Sequence, residues 1–390
     1  MIKILHRLLA PSYTQDTSLS NSLSGDIGHR ATIKARYSRT GLKLLLNLSS
    51  MRRLKKFVGN GIRIYRLEYP TTYKGHKVTA SGLVCIPEKQ TPSAIICALR
   101  STILAHKLAP SEVRPFYGLE LYAAAGYITF IPDMLGFGSS KHLISPYHNH
   151  EHAASTVIDM IKAGLGFLNS QQFHFKKDLY IMGYSEGGYS ALATQRALEH
   201  RPIQGLKLKA VAAGAGAYNI PETMSLIFDK HGHSNPSLIA YMLYAYKHMY
   251  EWNHSFEQIF KAPYSNLVHK AFNGQRSIDQ ANELLHTRFD RLFHNDFLTL
   301  LKNPKLADFS HSFVQNSLHD WLPLTPVKLY HSKADQTIPY TDSVSTYETM
   351  KLNGARNLSL NFTKPLTHGE AVFDMAEETF AWFGAIDNAM

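Results

Sequence analysis

The strongest constraint on the fold lies in residues 179–199, where an apolar run, a glycine-rich turn and a helical pattern follow one another. The apolar run ends at Met182 and predicts a buried strand. It leads into Gly183-Tyr184-Ser185-Glu186-Gly187, which has the form G-x-S-x-G. Between a strand and a helix, this motif predicts a nucleophile elbow with Ser185 at the tip of a sharp turn. The flanking glycines suit strained backbone angles and a close approach of strand and helix.

Strand-like and helix-like patterns alternate around this motif. Residues 62–69 and 77–86 predict an antiparallel hairpin. The order that follows is strand, helix, strand, helix, strand, helix, strand, ending near residue 216. Right-handed crossovers between such strands give an α/β fold with a mostly parallel central sheet flanked by helices. The predicted segments besides the motif are strands at 94–99, 127–132 and 206–216 and helices at 112–125 and 151–169.

The strand pattern stops over residues 219–320, where helix-like pieces rich in Tyr, Phe, His, Met and Leu follow one another. We therefore expect an inserted, mainly helical cap at 219–320 within a core of residues 61–218 and 321–390. Residues 1–60 are expected to form a basic extension that is partly disordered or helical. The pattern that resumes after the cap predicts strands at 327–332 and 357–362 and helices at 340–352 and 369–384.

The basic charge is concentrated in that extension. The formal net charge of the chain is +11, and residues 1–60 hold eleven Lys and Arg against two Asp. The rest of the chain is therefore nearly neutral. A basic segment of this kind is able to make weak contact with an anionic membrane, while charge alone does not indicate nucleic-acid binding, so no nucleic acid is expected. The oligomeric state stays open.

Signals for localisation are weak. The apolar stretch at the start of the chain is short and is interrupted by His6 and Arg7, so it is a poor secretory signal. The sequence holds no apolar run of about 18 residues, and no transmembrane helix is expected. We therefore favour a soluble cytoplasmic protein. Cys85 and Cys97 lie in predicted core strands and are expected to be buried free thiols.

A serine hydroxyl needs a general base to act as a nucleophile, and the base needs an orienting acid. Asp335 and His368 each follow a predicted strand after the cap, at the strand end where sites gather in parallel sheets. We therefore predict Ser185 as nucleophile, His368 as base and Asp335 as acid. The alternative acid is Asp342, which we expect at the surface of the next helix. Asp335 is also placed to cap that helix.

An oxyanion formed at Ser185 needs two hydrogen-bond donors. One is expected to be the backbone N–H of Glu186 at the start of the helix, where the helix dipole also favours negative charge. The second is expected from the loop Leu99-Arg100-Ser101-Thr102, with Thr102 as the first choice. The side chain of Glu186 is expected to be a solvated carboxylate without a chemical role.

From about residue 62 to 384 the chain resembles the α/β-hydrolase fold and, within it, the secretory-lipase-like serine ester hydrolases. The elbow and the two blocks that carry Asp335 and His368 are typical of the fold. Other blocks resemble the lipase-like branch more narrowly. These are YRLEYPTTYKGHKVTASGLVCIP, Ala109-Pro110-Ser111, GYITFIPDMLGFGSSKH at 126–142, Tyr147 and WLPLTPVKLYHSKADQTIP.

The resemblance implies hydrolysis of a small-molecule or lipid-like carboxylic ester through an acyl-enzyme, with no metal and no cofactor. Members of this family usually carry His-Gly-Thr where this chain has Arg100-Ser101-Thr102. The substitution removes a glycine and brings a guanidinium near the expected oxyanion hole. An acyltransferase or a serine peptidase would use the same three residues, and a non-catalytic binding protein on a hydrolase fold is the remaining alternative.

Overall fold

The computed structural model describes residues 30–88, 91–113, 116–230, 232–302 and 310–388. A nine-stranded sheet lies at the centre of this part of the chain. Its strands are β1 (Arg30–Tyr37), β2 (Ile62–Tyr73), β3 (His76–Pro87), β4 (Ile95–Leu99), β5 (Ile128–Pro132), β6 (Asp178–Tyr184), β7 (Lys207–Gly214), β8 (Val327–His331) and β9 (Leu358–Phe362).

The strands lie in the order β1-β2-β3-β5-β4-β6-β7-β8-β9. From β1 to β5 the neighbours pair antiparallel, and from β5 to β9 they pair parallel. The exchange of β4 and β5 puts β4 beside β6, so the loop after β4 and the turn after β6 share one edge of the sheet. The predicted α/β class with a mostly parallel sheet is confirmed.

Both faces of the sheet are covered, which explains the continuous apolar runs of the central strands. In β6, Leu179 and Ile181 belong to one core cluster, while Tyr180 and Met182 belong to the cluster on the opposite face. Cys85 and Cys97 are buried free thiols, as predicted.

Helices α3 (His150–Ser170) and α4 (Glu186–His200) cover the first face, where their apolar residues join the cluster that contains Leu179. Helices α1 (Arg39–Asn47) and α14 (His368–Asn388) cover the second face. The remaining helices outside the segment between β7 and β8 are α2 (Leu121–Ala124) and α13 (Tyr340–Leu352), with 3-10 turns at Arg52–Phe57, His106–Leu108 and Gly138–Ser140.

Two predicted elements differ from the structure near the N-terminal half. The prediction of a helix at 112–125 is wrong. Among the described residues of this region, only the four residues of α2 are α-helical. The backbone at Gly118 has a positive φ of 122°, and the Glu120 carboxylate accepts hydrogen bonds from the Tyr117 and Gly118 N–H groups. A non-helical turn therefore precedes the short helix. The hairpin turn is also tighter than predicted, at Lys74 and Gly75, both with positive φ.

A third difference concerns the predicted extension. Residues 1–29 lie outside the described residues, but β1 pairs with β2 along its length, and Tyr37 is buried. Residues 30–37 are therefore part of the sheet, and buried leucines of α1 and of the 3-10 turn at Arg52–Phe57 belong to its core. Several of the cations there form ion pairs with the rest of the chain, including Arg36 with Glu88 and Arg53 with Asp374. Membrane contact through residues 1–60 stays a prediction.

The segment between β7 and β8 is helical, as its sequence indicates, and the division into core and cap at 219–320 stays a prediction. No helix in the described ranges is long and apolar enough to cross a membrane. The helices of this segment are α5 (Ile220–Phe228), α6 (Pro236–Tyr250), α7 (Phe256–Ile259), α8 (Tyr264–Ala271), α9 (Ile278–Asn282), α10 (Phe289–Leu292), α11 (Asn295–Lys302) and α12 (Ser310–Gln315).

Candidate active site

Ser185 forms the turn between β6 and α4 and adopts φ 59° and ψ −120°. A non-glycine residue pays a conformational cost for a positive φ, and such strain is concentrated at functional sites. The turn is held because the Ser185 N–H donates to Gly214 O at 2.8 Å, and the Tyr189 N–H donates to Ser185 O at 3.0 Å. The backbone strain predicted for the motif therefore rests on the serine itself.

The glycines of the motif serve the close approach of strand and helix. A Cβ on Gly183 would lie 2.1 Å from Gly187 O, and a Cβ on Gly187 would lie 2.3 Å from Leu99 O. Real Cβ atoms do not come this near to backbone oxygens. The helix therefore starts directly above its strand, with the loop after β4 packed against its first turn.

The structure brings Ser185, His368 and Asp335 together from three separate segments. Ser185 Oγ is 2.9 Å from His368 Nε2, and His368 Nδ1 is 2.6 Å from Asp335 Oδ2. A carboxylate only accepts, so Nδ1 carries the proton and a neutral His368 accepts from the serine hydroxyl through Nε2. The Asp335 side chain is buried, and the His368 side chain is 18% exposed.

The loops that carry Asp335 and His368 are joined through Ser332. Its hydroxyl donates to Leu366 O at 2.6 Å and accepts from the Leu366 N–H at 3.0 Å. The other oxygen of Asp335, Oδ1, accepts from the N–H groups of Thr337 and Ile338 at 2.8 and 3.0 Å. The carboxylate is thus held by its own loop on one side and faces the histidine with the other.

A second histidine, His331, also contacts Asp335, and this contact was not predicted from the sequence. His331 Nε2 lies 3.3 Å from Asp335 Oδ2 and 3.1 Å from Ile338 O, and its side chain is fully buried. Both neighbours are acceptors, so Nε2 carries a proton, and Nδ1 lies 2.7 Å from Ser343 Oγ. The signal in the sequence was a histidine that ends the apolar strand just before the acid.

The two histidines determine the charge of Asp335. Burial by itself raises the pKa of a carboxyl group because it penalises the charged form. The hydrogen bonds from His331 and His368 outweigh burial and hold the pKa of Asp335 well below its ordinary value. Asp335 is therefore ionised across the neutral and mildly acidic range.

Asp342, the alternative acid, is occupied elsewhere. It is fully buried, not at the surface as expected, and it accepts hydrogen bonds from Thr223 and from the N–H groups of Tyr218 and Asn219 at 3.0 Å. Burial raises the pKa of Asp342 to about 6, against the lowering by these bonds. Asp342 joins α13 to the chain entering α5.

The loop after β4 lies beside the elbow. Ser101 Oγ donates to Tyr184 O at 3.1 Å, and Thr102 Oγ1 lies 2.8 Å from Tyr147 OH. The Glu186 N–H begins α4, where the first N–H groups of a helix have no intrahelical acceptor. The Thr102 loop and the first turn of α4 are therefore adjacent, and the role of the two backbone N–H groups as oxyanion donors stays a prediction.

The Glu186 side chain is not solvated, contrary to the expectation. It is 7% exposed and pairs with the fully buried guanidinium of Arg100 at 2.7 Å. Burial raises the pKa of Glu186, while Arg100 opposes that shift. Arg100 lies two positions before Thr102, and Glu186 directly follows Ser185. The ion pair between them was not predicted from the sequence.

In the described part of the chain no group of three or more His, Cys, Asp and Glu side chains is arranged to hold a metal ion.

Residues 119–386 match the family model described as Secretory lipase. The chain belongs to the secretory lipase family. Membership supports a hydrolase of ester substrates acting on a small molecule. The expectation of a cytoplasmic location is wrong, because a family of secretory lipases indicates a secreted protein.

Solved structures that are similar to this secretory lipase family member share its α/β-hydrolase fold. A Legionella pneumophila protein superposes with a TM-score of 0.84 at 24% identity, over 92% of this chain and 97% of that one. The Xanthomonas oryzae rice cell wall degrading esterase LipA, in a ligand-bound form, superposes with a TM-score of 0.78 at 22% identity. The match covers 92% of this chain and 96% of that one. Candida antarctica lipase A in its closed state superposes with a TM-score of 0.67 at 15% identity. The match covers 92% of this chain and 81% of that one. No curated protein matches the chain by sequence.

Proposed function

We propose that this family member hydrolyses carboxylic esters through an acyl-enzyme on Ser185. His368 removes the hydroxyl proton as Ser185 attacks the ester carbonyl, and it returns the proton to the leaving alcohol. The same histidine then activates water, which releases the acid. The observation that carries the proposal is the continuous chain of hydrogen-bond distances from Ser185 Oγ through His368 to Asp335.

Asp335 serves as the orienting acid in this proposal. Its ionised carboxylate holds the proton on His368 Nδ1, which leaves Nε2 free to accept from the serine. It also stabilises the imidazolium that forms during each proton transfer. The involvement of Asp342 in other hydrogen bonds favours Asp335 for this role.

The oxyanion of the tetrahedral intermediate is proposed to accept from the backbone N–H groups of Glu186 and Thr102. The close packing of Gly187 against the loop after β4 supports this assignment, because it keeps that loop beside the nucleophile. Donors fixed before the reaction stabilise developing charge without a cost of reorganisation.

The helical segment between β7 and β8 is proposed to bind the acyl or alcohol part of the substrate. It touches the loops on both sides of the site. On one side, the Tyr241 ring on α6 lies 4.9 Å from the ring of Tyr147, whose hydroxyl is hydrogen-bonded to Thr102. On the other side, His233 Nε2 lies 3.1 Å from the carbonyl oxygen of Thr337. An aromatic and aliphatic surface at this position suits an apolar ester group.

Covalent labelling tests the proposal directly. A fluorophosphonate probe should modify the purified protein at Ser185, located by mass spectrometry of peptides, and Ser185→Ala should lose both labelling and hydrolysis of p-nitrophenyl esters. Ser155→Ala, on α3 outside the site, is the matched control and should retain both. Hydrolysis that persists in Ser185→Ala would show that the mechanism is wrong. A panel of esters of graded chain length then defines the acyl group.

A further inference from the structure

A buried ion pair links the two segments that carry the proposed oxyanion donors. Arg100 Nη1 lies 2.7 Å from Glu186 Oε2, and these side chains are 0% and 7% exposed. We propose that Arg100 is a positioning residue of the ester hydrolase, which neutralises the Glu186 carboxylate and braces the loop that carries Thr102. The inference rests on the proposed function, because it assigns the pair a role at the oxyanion hole of Ser185.

The guanidinium is fixed by contacts to two loops and to the first residue of α4. Nε donates to the carbonyl oxygen of Asp133 at 3.0 Å, in the loop after β5, and Nη1 donates to that of Ser101 at 3.0 Å. Its plane lies over the Phe137 ring, 4.5 Å from the centroid. A planar fork of several donors is suited to hold these acceptors and a carboxylate at once, which a lysine ammonium is not.

The electrostatic part of the argument follows from the position of Glu186. Its N–H is the first proposed donor, so its carboxylate belongs to the same residue that faces the developing oxyanion. A buried negative charge beside that oxyanion would oppose its formation, because charges interact strongly in a poorly solvated site. With Arg100 in contact, the pair is neutral overall, and the N–H group and the helix dipole act on the oxyanion.

The test uses Arg100→Met and the double variant Arg100→Met with Glu186→Gln. Active sites are first counted by complete fluorophosphonate labelling, and kcat and KM are measured per labelled site. We expect Arg100→Met to lower kcat by about 10²-fold, comparable to the loss of one oxyanion donor, with little change in KM. The double variant should recover most of that loss, because it removes the uncompensated carboxylate.

A merely structural role for Arg100 would give a different pattern. A lowered Tm with unchanged kcat per site in Arg100→Met would overturn the inference, and so would a loss that the Glu186→Gln change does not relieve. If Arg100→Met gives no folded protein, Arg100→Lys keeps the charge and loses the fork. It should lower kcat by about tenfold, and wild-type kcat in this variant would contradict the bracing role.

Two controls separate this inference from the proposed function. Arg36→Met removes an arginine ion pair with Glu88, beyond the end of β3 and away from the catalytic edge of the sheet, and should leave kcat per site unchanged. Absence of probe at Ser185 in the wild-type protein would contradict the proposed function whatever the Arg100 variants do. Labelled wild-type protein with indifferent Arg100 variants would contradict only the inference.

Discussion

His331 and Asp335 lie four positions apart in the sequence, and the imidazole Nε2 of the first is 3.3 Å from Oδ2 of the second. The same oxygen is 2.6 Å from His368 Nδ1. One carboxylate oxygen therefore faces two histidine rings, one fully buried and one at the edge of the site. This arrangement leads to predictions for Asp335→Asn, for the pH profile of the wild-type enzyme and for His331→Leu.

Asp335→Asn is expected to lower kcat by about 10³–10⁴-fold with only a modest loss of stability. The asparagine oxygen can still accept from the Thr337 and Ile338 N–H groups. Its amide donates to His368 Nδ1, however, which puts the ring proton on Nε2 and prevents that atom from accepting from Ser185. Steady-state kinetics with a p-nitrophenyl ester and a thermal melt measure the two effects. Activity within tenfold of the wild type would argue that another group orients His368.

The acid limb of the pH profile of kcat/KM is expected to report one proton in the wild-type enzyme. Because the hydrogen bonds from His331 and His368 hold the pKa of Asp335 well below its ordinary value, Asp335 stays ionised over the mildly acidic range and adds no proton to this limb. The limb should therefore have a slope of about one in a logarithmic plot. A slope near two in the wild type would show that Asp335 titrates in the same range.

His331→Leu changes that limb in a defined direction. The substitution removes one of the hydrogen bonds that lower the pKa of Asp335, so this pKa rises while burial continues to favour the neutral acid. Below the risen pKa the protonated Asp335 no longer orients His368. We expect the acid limb of His331→Leu to steepen and move to higher pH, with activity lost first at the acid end. An unchanged limb would mean that His331 has a packing role only.

Asp342→Ala is expected to act on stability and not on chemistry. The change leaves the N–H groups of Tyr218 and Asn219 and the hydroxyl of Thr223 without their acceptor. Buried donors left unpaired cost about 1–3 kcal/mol each, offset in part because an unfavourably buried charge is removed. Chemical denaturation should show a lower free energy of unfolding, while kcat per labelled site stays within about threefold. A loss like that of Asp335→Asn would reinstate Asp342 as the acid.

Gly187→Ala tests the close packing beneath the elbow. The added Cβ would meet Leu99 O and Arg100 O at 2.3 and 2.7 Å, so the loop carrying Thr102 must move. We expect a cost of about 1–3 kcal/mol in unfolding free energy and a lower kcat. Gly384→Ala on α14, where a Cβ has open space, is the matched control and should be neutral or stabilising by up to about 1 kcal/mol. Equal behaviour of the two variants would refute the packing argument.

Strand β1 gives a prediction for the N-terminus. A truncation that begins at Ser38 removes the strand and with it the buried side chains of Ala35 and Tyr37, and it leaves β2 as an open edge. Compared with a truncation that begins at Arg30, it should melt at a lower temperature and aggregate more readily in light scattering. Indistinguishable melting temperatures would show that residues 30–37 contribute little to the core.

Much of the α/β pattern could be predicted because strands covered on both faces are continuous apolar runs, and the helices between them are amphipathic. The edge strand β1 was not predicted, because it is not covered on both sides. Its sequence, RATIKARY, has charged residues on an exposed side, so no apolar run marks it. The short α2 was overestimated because apolar residues continue through a turn that Gly118 and Glu120 shape locally.

The order of Ser185, Asp335 and His368 and their places after apolar strands can be read from the sequence. Parallel strands bring such ends to one edge of a sheet, so the three residues were expected to lie close together. Which charges are buried and paired depends on contacts that form only in the folded chain. Arg100 and Glu186 are 86 positions apart, and Asp342 meets donors more than a hundred positions away. The burial and pKa of a charged group depend on partners that come near only when the chain folds. The local sequence pattern therefore does not predict these two properties.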